Sequence, residues 1–138
     1  VNESWPATHG EPPIMMLAPP ILPQLSSLHP EKTTVKLSSL SDTLKMLVPD
    51  SDHFEANWDV YPILGADPES PDWEGLQAPT GVWNDAVDDM IKLTGIELYI
   101  PKAVLEAYSN TAVELRYKFA DESSLEPYSE CVKLYIEA

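Results

Sequence analysis

Three stretches in the last third of the chain alternate apolar and polar residues. Ile96, Leu98 and Ile100 alternate with Glu97 and Tyr99; Val113, Leu115, Tyr117 and Phe119 with Glu114, Arg116 and Lys118; Val132, Leu134 and Ile136 with Cys131, Lys133 and Tyr135. Side chains along a strand point to opposite faces in turn, so this pattern predicts three antiparallel strands, each with one face on a core and one in water.

Upstream, Thr33, Val35 and Leu37 alternate with polar neighbours and predict a strand; after Ser38-Ser39 the pattern fits either a single helical turn capped by Ser41-Asp42 or a second strand over residues 43–48 that ends at Pro49, and the strand is the preferred reading. Phe54, Ala56, Trp58 and Val60 alternate with Glu55, Asn57, Asp59 and Tyr61, which predicts a strand with Trp58 facing inward and Pro62 and Gly65 ending it. Residues 67–81 combine proline, glycine and acids and are expected to form one long acidic surface loop. Val82, Ala86, Met90 and Leu93 recur at helical spacing, so residues 82–93 are expected to form a short helix or a distorted edge strand. A single helical turn is expected at 102–108 after Pro101, and a polar hairpin loop at 121–127.

The first 30 residues hold seven of the 14 prolines. Proline fixes its own backbone and lacks an N–H, so residues 1–30 are expected to be an extended arm or linker, with one short edge strand around 14–17. Pro20 and Pro23 make one PxxP, but no basic residue flanks it, and a linker is the simpler reading. Residues 31–138 then form one domain. About seven short strands separated by turn signals predict an all-β fold, an antiparallel β-sandwich with a proline-rich N-terminal arm and one long acidic loop.

From Trp58 to Ile136, and from Thr33 if the earlier strands are included, the chain resembles the immunoglobulin-like and fibronectin-type repeat domains of bacterial surface and secreted proteins. The residues that carry the resemblance are Trp58 within Asn57-Trp58-Asp59-Val60-Tyr61, the segments 96–101 and 113–119, and Ser129 ahead of the last strand. Tyr117 is similar to the tyrosine of the penultimate strand in such domains, and Phe119 stands where an antibody domain has its second cysteine. The chain departs from the pattern in having no cysteine pair and in the 67–81 insertion. The resemblance implies a module that spaces, presents or binds, and it carries no catalytic residue with it.

Charge narrows the partners. Eight basic and 23 acidic residues leave a net charge of -15, which repels phosphate backbones and anionic lipid and argues against nucleic acid and membrane insertion. The apolar run 14–22 is broken by Pro19 and Pro20, far short of the roughly 20 residues a spanning helix needs. No basic stretch followed by an apolar one opens the chain, and a start on Val1 suggests a processed product or a piece of a longer protein with neighbouring repeat domains. The single Cys131 allows no internal disulfide, which fits a reducing compartment or an exported bacterial domain equally; the family resemblance favours the cell surface.

Between Asp50 and Ile91 there are eleven carboxylates and no Lys or Arg. Such a block can supply the six to eight oxygens Ca²⁺ prefers, with Asp50, Asp52, Asp88 and Asp89 as donors, although the spacing fits no EF-hand loop and solubility alone explains an acidic surface. Trp73 and Trp83, with Asp72 and Glu74, form the candidate ligand-binding set: aromatic faces stack on sugar rings while acids take hydroxyls. The plainer reading is that both tryptophans pin the insertion to the body. His9, His29 and His53 have no metal-ligand spacing, no Gly-x-Ser-x-Gly elbow exists, and five glycines make no phosphate loop. The expectation is a non-catalytic module with a structural, adhesive or protein-binding role. A carbohydrate-binding module and a small hydrolase with acids in 67–89 are the alternatives.

Overall fold

The computed structural model describes residues 17–23, 32–50, 54–120 and 127–138. In chain order the elements are β1 (Lys32–Lys36), a 3-10 turn (Leu37–Ser39), β2 (Thr43–Val48), β3 (Asp59–Leu64), β4 (Trp73–Glu74), β5 (Ala78–Pro79), β6 (Gly81–Asn84), β7 (Asp89–Lys92), β8 (Ile96–Pro101), α1 (Lys102–Glu106), β9 (Ala112–Ala120) and β10 (Val132–Glu137). The all-β expectation holds, and the helical turn after Pro101 forms as the sequence predicts. The largest sheet has the order β1-β10-β9-β3-β4, with β5 also on β3; β2 pairs with β8, and β6 with β7.

The three predicted C-terminal strands bury every second residue, and so does β2. Their buried faces, Leu44, Met46 and Val48 with Ile96, Leu98 and Ile100 from one sheet and Leu115, Phe119, Leu134 and Ile136 from the other, belong to one apolar cluster. Each such side chain taken fully out of water is worth about 1.5–3 kcal/mol, so these four strands carry most of the stabilisation.

The sheet is mixed and not purely antiparallel: β1 runs parallel to β10, Lys32 opposite Lys133 through Lys36 opposite Glu137. A parallel pair needs a long crossover, and these two strands lie at opposite ends of the domain with the whole fold between them. The stretch 17–23 fastens both sheets. Leu17 is buried in the core and its carbonyl accepts from the Glu130 N–H, the Ala18 carbonyl accepts from the Tyr117 hydroxyl at 2.6 Å, and Ile21 exchanges two backbone hydrogen bonds with Leu47. Of the edge strand expected at 14–17, only Leu17 lies among the described residues.

The strand expected to carry Trp58 inward is displaced. It begins at Asp59, and Phe54 is the ring that sinks into the core, stacked on Phe119 at 4.9 Å, while half-buried Trp58 tilts against Phe119 at 5.5 Å. The cause is Thr80, fully buried, which bends residues 54–58 into turns. Its hydroxyl accepts from the Trp58 N–H at 3.0 Å and shares its proton between the carbonyls of Glu55 and Trp58.

Pro62 does not end the strand; it sits inside β3 opposite Tyr117. Its carbonyl accepts from the Gly75 N–H, so the missing proline donor would have pointed to that same side. There the neighbouring strand bulges. Glu74 pairs with Ile63 and Ala78 with Val60, leaving Gly75, Leu76 and Gln77 opposite Tyr61 and Pro62. A Cβ at Gly75 would lie 2.6 Å from the Pro62 ring, so only glycine allows this approach. Residues 73–79 of the expected acidic loop therefore make a bulged strand on the edge of the main sheet, while 67–72 hold no strand, as expected.

Candidate interaction surface

Residues 81–92 form a hairpin, and neither a helix nor a single edge strand. Residues 85–88 make the turn, which Asn84, Asp85 and Asp88 favour: the Asn84 side chain accepts from the Ala86 N–H at 2.8 Å, and Asp88 takes a left-handed φ of 54°, which aspartate tolerates better than most residues. The helical spacing of Val82, Ala86 and Met90 is incidental, because no neighbouring surface buries such a stripe. The base of the hairpin is fixed. Leu93 donates to the Thr80 carbonyl, the Lys92 ammonium stands 4.4 Å over the Phe54 ring, and Gly81 lies so close to Ala56 that a Cβ would be 2.1 Å from its carbonyl oxygen.

Beyond this base the apolar residues face water. Val82 is 52% exposed, Trp83 53%, Val87 58% and Ile91 41%, and Leu76 at the crest of the β4–β5 bulge is 91% exposed. Val82 pairs with Ile91 on one face of the hairpin and Trp83 with Met90 on the other, with Val87 in the turn between. The indole of Trp83 is held in place by its Nε1–H, which donates to Asp85 Oδ1 at 2.7 Å. Single exposed apolar residues are ordinary on any surface, but four within one ten-residue ribbon are not.

The other expected site residues have different settings. Trp73 is half-buried, opposite Leu64 in register, and packs on the core, in keeping with the plainer reading for that residue. Glu74 is exposed opposite Ile63. Asp72 donates its N–H to the Leu64 carbonyl, and its side chain lines a shallow depression of about 280 Å³ with Tyr108, Glu114 and Lys133. Burial, and then the Asp72 charge, raise the Tyr108 hydroxyl above the ordinary tyrosine pKa.

Of the four proposed calcium donors, three lie among the described residues. Asp50 Oδ1 accepts from the Gly95 N–H at 3.2 Å, Asp89 Oδ1 accepts from the Met90 N–H, Asp88 occupies the hairpin turn, and Asp52 lies outside the described residues, as do Trp5 and the three histidines. Among the described residues no three His, Cys, Asp or Glu side chains approach one another as a metal site would require. Cys131 is half-buried, and that burial pushes its thiol pKa up, which makes it a poor nucleophile.

Two basic residues of β9, passed over in the sequence, explain how the acidic segment is held. The Arg116 guanidinium donates to the Gly65 carbonyl at 3.1 Å and to Glu114, and buried Lys118 donates to the Pro68 carbonyl at 2.9 Å. Their positions outside the acidic block hid this role. Among the described residues no helix is long and apolar enough to cross a membrane. No family model, curated protein or solved structure matches the chain.

Proposed function

We propose that the chain is a non-catalytic immunoglobulin-like β-sandwich module that binds another protein through the β6–β7 hairpin. The strand order supports the fold. Strands β10, β9 and β3 lie together with β4 beyond β3, while β2 and β8 pair separately, which is the division between the two sheets of an immunoglobulin domain with an added edge strand. The observation that carries the function is the set of exposed apolar side chains on a hairpin whose base is anchored to the core. Val82, Trp83, Val87 and Ile91 each leave about half of their surface in water, and a partner that covers it recovers burial free energy the fold leaves unused.

A photo-cross-linking residue placed at position 87 in the cells that make the protein is expected to give a discrete protein adduct. The adduct should disappear with Trp83→Ala and with Val82→Ser combined with Ile91→Ser. A diffuse ladder, or an adduct indifferent to those changes, removes the hairpin from the binding role. The second reading, a saccharide-binding module, is favoured by the depression in which Asp72 meets Tyr108, with Tyr108 and not Trp73 as the stacking ring. A glycan array on which Tyr108→Ala abolishes a signal would select it.

A further inference from the structure

We infer that the hairpin's partner is a protein with an apolar cleft rimmed by lysine or arginine side chains. The inference rests on the reading of β6–β7 as the binding element and adds the chemistry of what it binds. The cleft follows from placement. Val82 and Ile91 project from one face and Trp83 and Met90 from the other, so a flat surface covers one pair and leaves the second wet, whereas a cleft covers both. The exposed apolar area is on the order of a few hundred Å², below the roughly 800 Å² per partner of a stable complex. The hairpin is therefore the core of a larger contact, and the surface around it supplies the rim.

That rim is anionic. Asp85, Asp88 and Asp89 are exposed on the hairpin itself, and the sequence from Asp50 to Ile91 contains no cationic side chain. Lys92, at the base, faces the Phe54 ring, and Arg116 and Lys118 hold the carbonyls of Gly65 and Pro68. A neutral cleft would strip water from these carboxylates without replacing it, while a cationic rim pairs them and steers the approach. A second copy of this chain is the wrong occupant: each copy carries -15, and joining two hairpins would set Asp85, Asp88 and Asp89 against their duplicates. Trp83 is suited to be the anchor, because its bond to Asp85 orders the ring before binding and tryptophan is a frequent hot-spot residue.

The test is a randomised displayed-peptide library selected on the full chain, followed by titration of the synthesised consensus peptide. The expected peptides join Lys or Arg to aromatic or branched aliphatic residues. Their affinity should fall steeply with added salt, drop about 30-fold with Trp83→Ala, a loss of roughly 2 kcal/mol, and drop about tenfold with Asp85→Asn, Asp88→Asn and Asp89→Asn combined. Asparagine keeps the side-chain acceptors and tolerates the left-handed turn, so this triple change removes charge and keeps shape. Peptides that need Trp83 but carry no basic residue, or that ignore the triple change, overturn the cationic rim and leave the hairpin as the binding element. Peptides indifferent to Trp83→Ala and to the Val82→Ser, Ile91→Ser pair overturn both. Sedimentation that shows a dimer dissolved by Trp83→Ala overturns the choice of occupant in favour of a second copy.

Discussion

The strands β8 to β10 and the segment from Gly65 to Leu93 use the same kinds of apolar residue for opposite ends. In the first, Ile, Leu, Val and Phe at alternate positions are all inside; in the second, Val82, Trp83, Val87 and Ile91 are outside on a ribbon that is ordered at its base. The difference lies in what stands opposite each segment. A strand in the core sheets meets a second apolar layer, while the hairpin meets Phe54, Ala56 and Thr80 at its foot. Stability is thus concentrated in one region and unsatisfied apolar surface in the other, and substitutions should separate the two.

The largest effect belongs to the core. Phe119→Ala removes the ring that Phe54, Trp58 and Tyr117 all contact, and should cost about 3–5 kcal/mol in denaturant unfolding. Next come the joints between the regions. Gly81→Ala drives a methyl into the Ala56 backbone, which cannot move aside cheaply, and should cost about 1–3 kcal/mol. Thr80→Val keeps the volume but strips partners from the Trp58 N–H and the Glu55 carbonyl, again about 1–3 kcal/mol. Amide exchange should show both joint variants loosening the hairpin more than β8 to β10. Uniform loosening would mean that the two regions unfold as one.

The same contrast governs what could be read in the sequence. Strands β8, β9 and β10 were legible because a sustained period of two needs only local information, whereas residues 43–48, where Leu47 breaks the alternation, fitted a helical turn as well as a strand. The two-residue strands β4 and β5 have no period to read; they exist because β3 offers an edge and Gly75 permits a bulge beside Pro62. Trp58 misled for a related reason: alternation at 54–60 is real, but buried Thr80, 22 residues away, claims that backbone for a turn. On the hairpin, Trp83 was singled out by residue type, whereas Val82 was read into a helical stripe with Ala86, Met90 and Leu93, and Val87 and Ile91 were not singled out. The turn-forming pairs Asn84-Asp85 and Asp88-Asp89, between Val82-Trp83 and Met90-Ile91, were the available signal for a hairpin.

A smaller effect tests the strap that joins the sheets. Tyr117→Phe removes the hydrogen bond to the Ala18 carbonyl and should cost about 1 kcal/mol near neutral pH. Burial pushes the Tyr117 pKa up to about 12, above the usual value of 10.0. A pKa raised on folding stabilises the folded chain fully below the unfolded value and is lost as pH climbs through the folded one. The advantage of wild type over Tyr117→Phe should therefore hold up to about pH 10, fall and change sign between pH 10 and about 12, and level off above it, since phenylalanine does not ionise. Paired melts across that window check this, and a constant difference would mean that Tyr117 is not shielded as placed.

The smallest expected effect is the most informative. Trp83→Ala should change the free energy of unfolding by no more than about 0.5 kcal/mol, because Trp83 is 53% exposed and its hydrogen bond to Asp85 is exposed to water. Truncating a tryptophan that a core needs costs several times more. A near-zero stability change together with lost binding would assign the side chain to the partner and not to the fold. A loss of 2 kcal/mol or more in the isolated chain would instead make Trp83 part of the packing, and the region from Gly65 to Leu93 would then differ from β8 to β10 only in degree.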